Sequence, residues 1–412
     1  MMKNLQEEQA LQNVKEQLRQ LAVERPVGTE ANRKATGWFF KTAREMECKG
    51  KEVSFSCMEW KKEASTVSCG ERIFSIAPAP FSLGVEVMAE LVRVKSKESL
   101  QQMKREDAAD RILCLEGELA KEPLMPKDFP FYYPEEHRWL NDTLENLRPA
   151  AMLAVTGKHP LTGENPFPLT DDGAFQVPSS AIGKEEAETL FQLASEQKVN
   201  LHIHSERLES TGTQPIISIS PKKQQEKVSL VVIGAHLDTK YDTPGALDNA
   251  TGVVTLLQLM KHLKNGVPGL ELLFIPFNGE EHYQVPGQMA ALKYLEEHWH
   301  RLKLMINLDG LGHPNGRTAL SMYNLDAASE DIWKDVMKNH AVMTLGDSWV
   351  EGDHSMFAFQ GIPCLALTSS ELLTEVTPLA HTPADTLDHV APEQILNTAA
   401  FMAEGLRHWS QA

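Results

Sequence analysis

From PIISIS, residues 215–220, to the end of the chain, the apolar positions fall into two alternating textures. KVSLVVIGAHLD, LELLFIPFN, LKLMINLDGLG and IPCLALTSS are short unbroken apolar runs, the pattern of strands covered on both faces. Between them, GVVTLLQLMKHLK, QMAALKYLEEHW and SEDIWKDVMKNHA repeat their apolar residues with helical spacing, and PEQILNTAAFMAEGLRHW closes the chain in the same way. This alternation predicts an α/β domain, doubly wound, with a mostly parallel central sheet and helices on both faces. At the other end, Leu11, Val14, Leu18 and Leu21 share one helical face. A second helix is predicted from about Asn32 to Glu47, after Gly28 and Thr29. GKEVSFSCMEW then alternates like a strand.

The middle of the chain has another texture. FSIAPAPFSLG reads as a Pro/Gly-rich linker, and KEPLMPKDFPFYYPEEH as a long irregular stretch. VEVMAELVRV, RILCLEGEL, AAMLAVTG, VPSSAIG and VNLHIHSE read as strands, and KEEAETLFQLASEQ as a helix. The predicted division is a discontinuous main domain, residues 1–75 and 212–412, interrupted by a β-rich insert, residues 76–211. A chain of 412 residues suits two such domains.

Composition narrows the function class. With 42% hydrophobic and 24% charged residues, the chain reads as a soluble globular protein. A formal charge of -17 argues against nucleic acid as a partner, because phosphate binding needs a basic face. No apolar run approaches the ~18 residues of a membrane span, and the N-terminus lacks a signal-peptide core. Five scattered cysteines without CxxC spacing argue against a disulfide framework and against a structural zinc site. The expectation is a cytoplasmic enzyme with no membrane association. Oligomeric state is not legible in the sequence.

Ligands of open α/β sheets gather beyond the carboxyl ends of the strands, and that is where the chain places its ionisable residues. His236 and Asp238 follow LVVIGA, Glu280 and Glu281 follow LELLFIPFNG, Asp309 follows LKLMINL, and His381 lies beyond IPCLALTSS. Asp248 sits in the loop after the first of these strands. Carboxylates that converge without counter-charges repel, and each meets a desolvation cost of several kcal/mol. The nearest basic residue in these loops is Lys240. Divalent cations resolve the conflict. Imidazole with carboxylate suits zinc, with cobalt or manganese as substitutes, and two histidines with three carboxylates suffice for two ions if one carboxylate bridges.

The passages GAHLDT, GALDNATG, FNGEEH, NLDG, EGDHSMF and HTPADTLD, taken together and in order, resemble the M28 family of co-catalytic zinc aminopeptidases. The resemblance implies two Zn2+ per chain. His236 and Asp309 would bind one, Glu281 and His381 the other, and Asp248 would bridge them. Glu280 would be the general base, and Asp238 the carboxylate that fixes the His236 tautomer. It also implies a cis peptide at Asp248-Asn249, and removal of N-terminal residues from peptide substrates. Residues 76–211 resemble the protease-associated insert of many relatives. A glutaminyl-cyclase-like or carboxypeptidase reaction on the same scaffold, and a non-catalytic receptor-like relative, are the alternatives. The intact DNATG after Leu247 favours two metals over one. Asp353 and His354 read as support for the site, and Met356, Phe357 and Ile362 as pocket wall or core. Asp385 and Asp388 read as orienting His381 or as helix caps. His202 and His204 read as ordinary packing residues and Cys364 as a small core hydrophobe.

Overall fold

A computed structural model of the chain describes residues 2–127, 129–160, 163–195, 197–222 and 228–411. It falls into two compact units, Met1–Cys57 with Thr211–Ala412, and Met58–Ser210. The first unit is built on an eight-stranded sheet of β1 (Lys49–Lys62), β2 (Ser205–Ile219), β3 (Ser229–His236), β4 (Leu270–Phe277), β5 (Leu302–Leu308), β6 (Thr318–Tyr323), β7 (Met343–Leu345) and β8 (Cys364–Ser369). Their spatial order is β1-β2-β4-β3-β5-β8-β6-β7. Strands β4, β3, β5 and β8 run parallel to one another. β2 joins β4 antiparallel, β6 joins β8 antiparallel, and β7 runs parallel to β6.

The unbroken apolar runs are explained by the two faces of this sheet. Val231, Ile233 and Ala235 of β3 enter one core cluster, with Leu272 and Phe274 of β4 and Ile306 of β5. Helices Met2–Leu21, Glu30–Glu45, Thr251–Leu263 and Pro392–Trp409 contribute Leu18, Phe39, Leu257 and Phe401 to the same cluster. The alternate residues Leu230, Val232, Leu273, Ile275 and Met305 enter a second cluster, with Leu295 of helix Pro286–Leu295 and Phe357. Period-two geometry sends successive side chains to opposite faces, so both sets must be apolar. The sheet centre is thereby fixed, and its carboxyl edge becomes a firm base for loops. Among the described residues no helix is long and apolar enough to cross a membrane.

The second unit has its own eight-stranded sheet. Leu91–Val94, Ile112–Leu115, Ala151–Thr156 and Ser179–Gly183 pair in parallel there. Arg72–Pro78, Ser65–Cys69, Val199–Ile203 and Val85–Ala89 extend it antiparallel. Helices Glu135–Leu147 and Lys184–Leu193 accompany it, so the β-rich unit also contains βα segments.

Three sequence expectations change. The main domain's first segment stops at Cys57, not at residue 75, because Ser65–Cys69 and Arg72–Pro78 form a hairpin inside the second sheet. The passage read as a linker from residue 76 overlaps the end of a strand whose Phe74 and Ile76 are buried. Part of the stretch read as irregular, residues 121–137, begins helix Glu135–Leu147, and Asp128 within it lies outside the described residues.

Candidate metal centre

Four parallel strands deliver the ionisable residues to one edge. β3 ends on His236, Glu280 and Glu281 lie in the turn after β4, and Asp309 follows β5 directly. Asp248 lies in the turn Ala246–Ala250 that leads into helix Thr251–Leu263. His381 lies between β8 and the last helix, with a left-handed φ of 61°, a conformation uncommon for a non-glycine residue. The Asp248-Asn249 peptide is cis.

These side chains meet. His236 Nε2 lies 2.8 Å from Asp248 Oδ1 and 3.5 Å from Asp309 Oδ1. His381 Nε2 lies 3.1 Å from Asp248 Oδ2 and 2.8 Å from Glu281 Oε1. Asp248 thus turns one carboxylate oxygen to each imidazole. Two groups of potential ligands follow, His236 with Asp248 and Asp309, and Asp248 with Glu281 and His381. Within each, ligand atoms lie within 4.8 Å of one another, and Glu280 completes a third such group with His236 and Glu281.

The electrostatics are those of a crowded acidic site. Burial pushes the Asp248 carboxyl upward, but the two imidazoles overcome it and hold the group well below the usual carboxylate range. Glu280 goes the other way, raised well above its ordinary value by burial and by the neighbouring Glu281. Burial likewise raises Asp309. The basic groups are few. Lys240 Nζ lies 3.7 Å from Glu281 Oε2 and donates to the Glu281 carbonyl at 2.9 Å. Arg25 is buried among the same loops, a cation that the loops' own sequence does not reveal.

The supporting contacts differ in part from those expected. Asp238 was expected to hold the His236 imidazole, yet its carboxylate is 3.9 Å from Nδ1, and Nδ1 faces the Asp238 carbonyl at 3.3 Å. The carboxylate instead accepts from the backbone N–H groups of Gly279, Glu280 and Glu281, at 2.9, 3.2 and 3.1 Å. It fixes the turn that aims the two glutamates. Of the two readings of Asp385, orienting His381 or capping a helix, the bonds are those of a cap, on the helical turn Ala246–Ala250. Asp385 accepts from the N–H groups of Leu247 and Asp248, at 2.7 and 3.0 Å, and so fixes the turn that aims Asp248. Asn249 ties the same turn to β5, donating to the Leu308 carbonyl at 2.9 Å and accepting from the Gly252 N–H at 2.9 Å. A side chain at Gly252 would collide with both Asn249 Oδ1 and the Leu308 carbonyl.

The Asp385 contact gives a measurable expectation. Asp385→Ala leaves one buried and one half-buried N–H group without their acceptor, at up to about 1–3 kcal/mol each. Thermal unfolding of the metal-free protein should move down by roughly 5–10 °C. A melting curve that matched wild type would show that these N–H groups find other acceptors.

Residues further out have quieter places. Asp353 is buried and accepts from the Gln288 amide; burial raises its carboxyl to about 7. His354 is buried beside Trp349, its Nε2 2.9 Å from the Trp349 carbonyl. Phe357 and Met356 belong to the core cluster on that side of the sheet. Burial pushes the Cys364 thiol up to about 12, as expected of an inert core residue. The His202 and His204 rings, at the end of strand Val199–Ile203 in the second unit, are tilted by 37° with centroids 3.4 Å apart, outside every candidate metal group among the described residues.

Comparison with known proteins adds to this geometry. Residues 216–406 match the model of peptidase family M28. Aminopeptidase YwaD of Bacillus subtilis (strain 168) is 28% identical over 233 residues, which are 53% of this chain and 48% of that protein. A probable leucine aminopeptidase of Arthroderma otae is 27% identical over 212 residues, 47% of this chain and 57% of that protein. The chain therefore spans about half the length of the curated relatives it matches. Among solved structures, the zinc aminopeptidase BSAP from Bacillus subtilis superposes with a TM-score of 0.72 at 20% identity, over 96% of this chain and 94% of that one. An aminopeptidase from Aneurinibacillus sp. strain AM-1 gives 0.69 at 21% identity, over 96% and 92%. These superpositions establish a shared fold, and the sequence match covers every strand end at which the acidic and histidine residues gather. Through residues 216–406 the chain is similar in sequence to peptidase family M28.

Proposed function

We propose that this protein is a zinc-dependent aminopeptidase that releases N-terminal residues from peptides. The observation that carries the reading is the division of five side chains into two ligand groups that share Asp248. His236, Asp309 and Asp248 would hold one Zn2+, and Glu281, His381 and Asp248 the other. The donor set fits: imidazole nitrogen and carboxylate oxygen are the ligands zinc takes in hydrolytic sites. The excess of carboxylates over Lys240 and Arg25 also favours cations there. When bound, a pair of such ions polarises the scissile carbonyl and makes water nucleophilic near neutral pH. The match of residues 216–406 to family M28 and relatives named as aminopeptidases support the choice of reaction, and a neighbour named as a zinc enzyme supports the metal.

The chain's own residues supply the rest. Glu280 is next to Glu281 in sequence, but its carboxylate belongs to the group that faces His236 rather than to either three-ligand set built on Asp248. It can therefore take a proton from the attacking water and return it to the departing amine. Asp238 keeps Glu280 and Glu281 in register through three backbone N–H groups. Asp385 and Asn249 hold Asp248 against the end of β5. The second unit, which interrupts the first between Cys57 and Thr211, we assign as a protease-associated-like insert.

Metal analysis with a substrate panel tests the reading. The purified protein should load about two zinc ions per chain. It should cleave aminoacyl amides with a free α-amine and leave N-acetylated ones intact. One ion per chain with cyclisation of N-terminal glutamine would assign a cyclase. Cleavage of N-blocked peptides from the other end would assign a carboxypeptidase.

A further inference from the structure

The segment between the first two helices lies nearly two hundred residues before the M28 match and contributes no ligand, yet it reaches the loops that carry the ligands. Arg25 is completely buried. Its guanidinium donates to the carbonyls of Leu237 at 2.5 Å, Pro244 at 2.9 Å and Gly245 at 3.1 Å. It also donates to Leu21 at 2.5 Å and Val23 at 3.0 Å. The Arg25 N–H donates to Thr239 Oγ1 at 2.9 Å. Leu237 follows His236 directly, and Gly245 stands three residues before Asp248. One side chain thus clasps both ends of the loop that separates two of the ligands.

Asn32 extends the clasp to the second loop. It is also completely buried and donates to the Arg25 carbonyl at 3.1 Å and to Asn278 Oδ1 at 2.7 Å. Asn278 donates back to Asn32 Oδ1 at 3.1 Å. Asn278 precedes Gly279 and Glu280, the start of the turn that Asp238 also fixes.

We propose that Arg25 is a positioning residue for the metal centre, a buried cationic brace that sets the His236–Asp248 spacing and, with Asn32, the Glu280–Glu281 turn before any metal binds. This rests on the metallopeptidase reading above. The side chain suits the task for two reasons. Its planar fork has five N–H donors, enough to satisfy carbonyls on three sides, whereas a lysine offers three from one point. Its charge is held in the field of Asp238, Asp385, Asp248 and Glu281, which offsets part of its burial. Burial still lowers it to about 10, so it remains a cation at neutral pH. Gly245 belongs to the same device: at its φ of +60° any side chain would meet Thr239, the Asp248 carbonyl and the Arg25 guanidinium.

The test compares Arg25→Lys, Arg25→Met and Asn32→Ala with Phe401→Leu, a core change in the last helix. Each is measured at a temperature where circular dichroism shows it folded. Zinc affinity is read by competition with a fluorescent chelator, and the visible spectrum of the Co2+-loaded protein reports ligand geometry. The Arg25 variants should bind zinc at least about tenfold more weakly and shift the Co2+ bands. Phe401→Leu should lower the melting temperature without either change. Should Arg25→Met fail to fold, Arg25→Lys and Asn32→Ala carry the comparison. Folded Arg25→Lys and Asn32→Ala proteins with wild-type affinity and spectrum would overturn the proposal. So would a Phe401→Leu protein that lost as much affinity for the same loss of stability. A wild-type protein that takes up no metal would remove the metallopeptidase reading and this inference with it, whereas equal loading of wild type and variants removes the inference alone.

Discussion

Glu280→Gln should retain the metal content of the wild type and lose about 10²–10⁴-fold in kcat on an aminoacyl amide. The substitution keeps the size of the side chain and its capacity to accept a hydrogen bond, but the amide cannot carry a proton between water and leaving group. Metal should stay because Glu280 lies outside both three-ligand groups built on Asp248. The backbone should stay because Asp238 holds the turn through main-chain N–H groups, which the substitution does not touch. KM should change little, since a group used only in the transition state affects kcat and kcat/KM together. The measurement is kcat beside zinc content on the same preparation. A variant with a third or more of wild-type kcat would remove Glu280 from proton transfer and turn attention to Asp353, whose charge Glu280 senses. Loss of zinc together with activity would instead make Glu280 a ligand.

Much of this architecture was legible because the central strands are covered on both faces. A continuous apolar run such as LVVIGA admits few other readings once a helical period follows it. A carboxylate or imidazole at the end of such a run must then lie at the sheet's carboxyl edge. That argument places His236, Asp309 and the Glu280–Glu281 pair without any knowledge of tertiary contacts. It fails where the partner of a polar residue is distant in sequence. Arg25 stands alone before Pro26, and nothing local shows that its acceptors are the carbonyls of Leu237, Pro244 and Gly245. Asp385 offered two local readings, and the actual one depends on Leu247 and Asp248, far earlier in the chain. Asp238 misled for another reason: a carboxylate two residues from a histidine on an extended strand shares its side of the backbone, but the carboxylate finds three N–H donors in the next loop instead. The domain boundary was missed where a signal did exist. Cys69-Gly70-Glu71-Arg72 is a two-residue turn between alternating segments, with Gly70 at a φ of 59°. Reading it as a hairpin would have moved the start of the insert ahead of residue 65.

Asp248→Ala should abolish stable zinc binding at both positions, whereas Asp309→Ala and His381→Ala should each spare one ion. The asymmetry follows from which groups each residue enters. Asp248 places Oδ1 2.8 Å from His236 Nε2 and Oδ2 3.1 Å from His381 Nε2, and it belongs to both Asp248-centred ligand sets, while Asp309 and His381 belong to one each. Removing it leaves His236 with Asp309 on one side and Glu281 with His381 on the other, two donors apiece where a hydrolytic zinc site uses three. Losing even an outer hydrogen-bond partner of a ligand typically costs 10–100-fold in affinity, so losing a shared ligand should exceed about 100-fold at each position. The backbone of this turn is held from outside by Asp385 and from below by Asn249, so the alanine protein should fold and the loss should be one of ligation. Zinc titration followed by calorimetry separates the cases: no saturable site in Asp248→Ala, about one in each of the other two variants. If Asp248→Ala kept one tight site, the aspartate would serve a single ion, and the two-metal mechanism would need another bridging group. If Asp309→Ala lost both ions, the two positions would be filled cooperatively, and Asp248 would be one member of an interdependent set rather than its link.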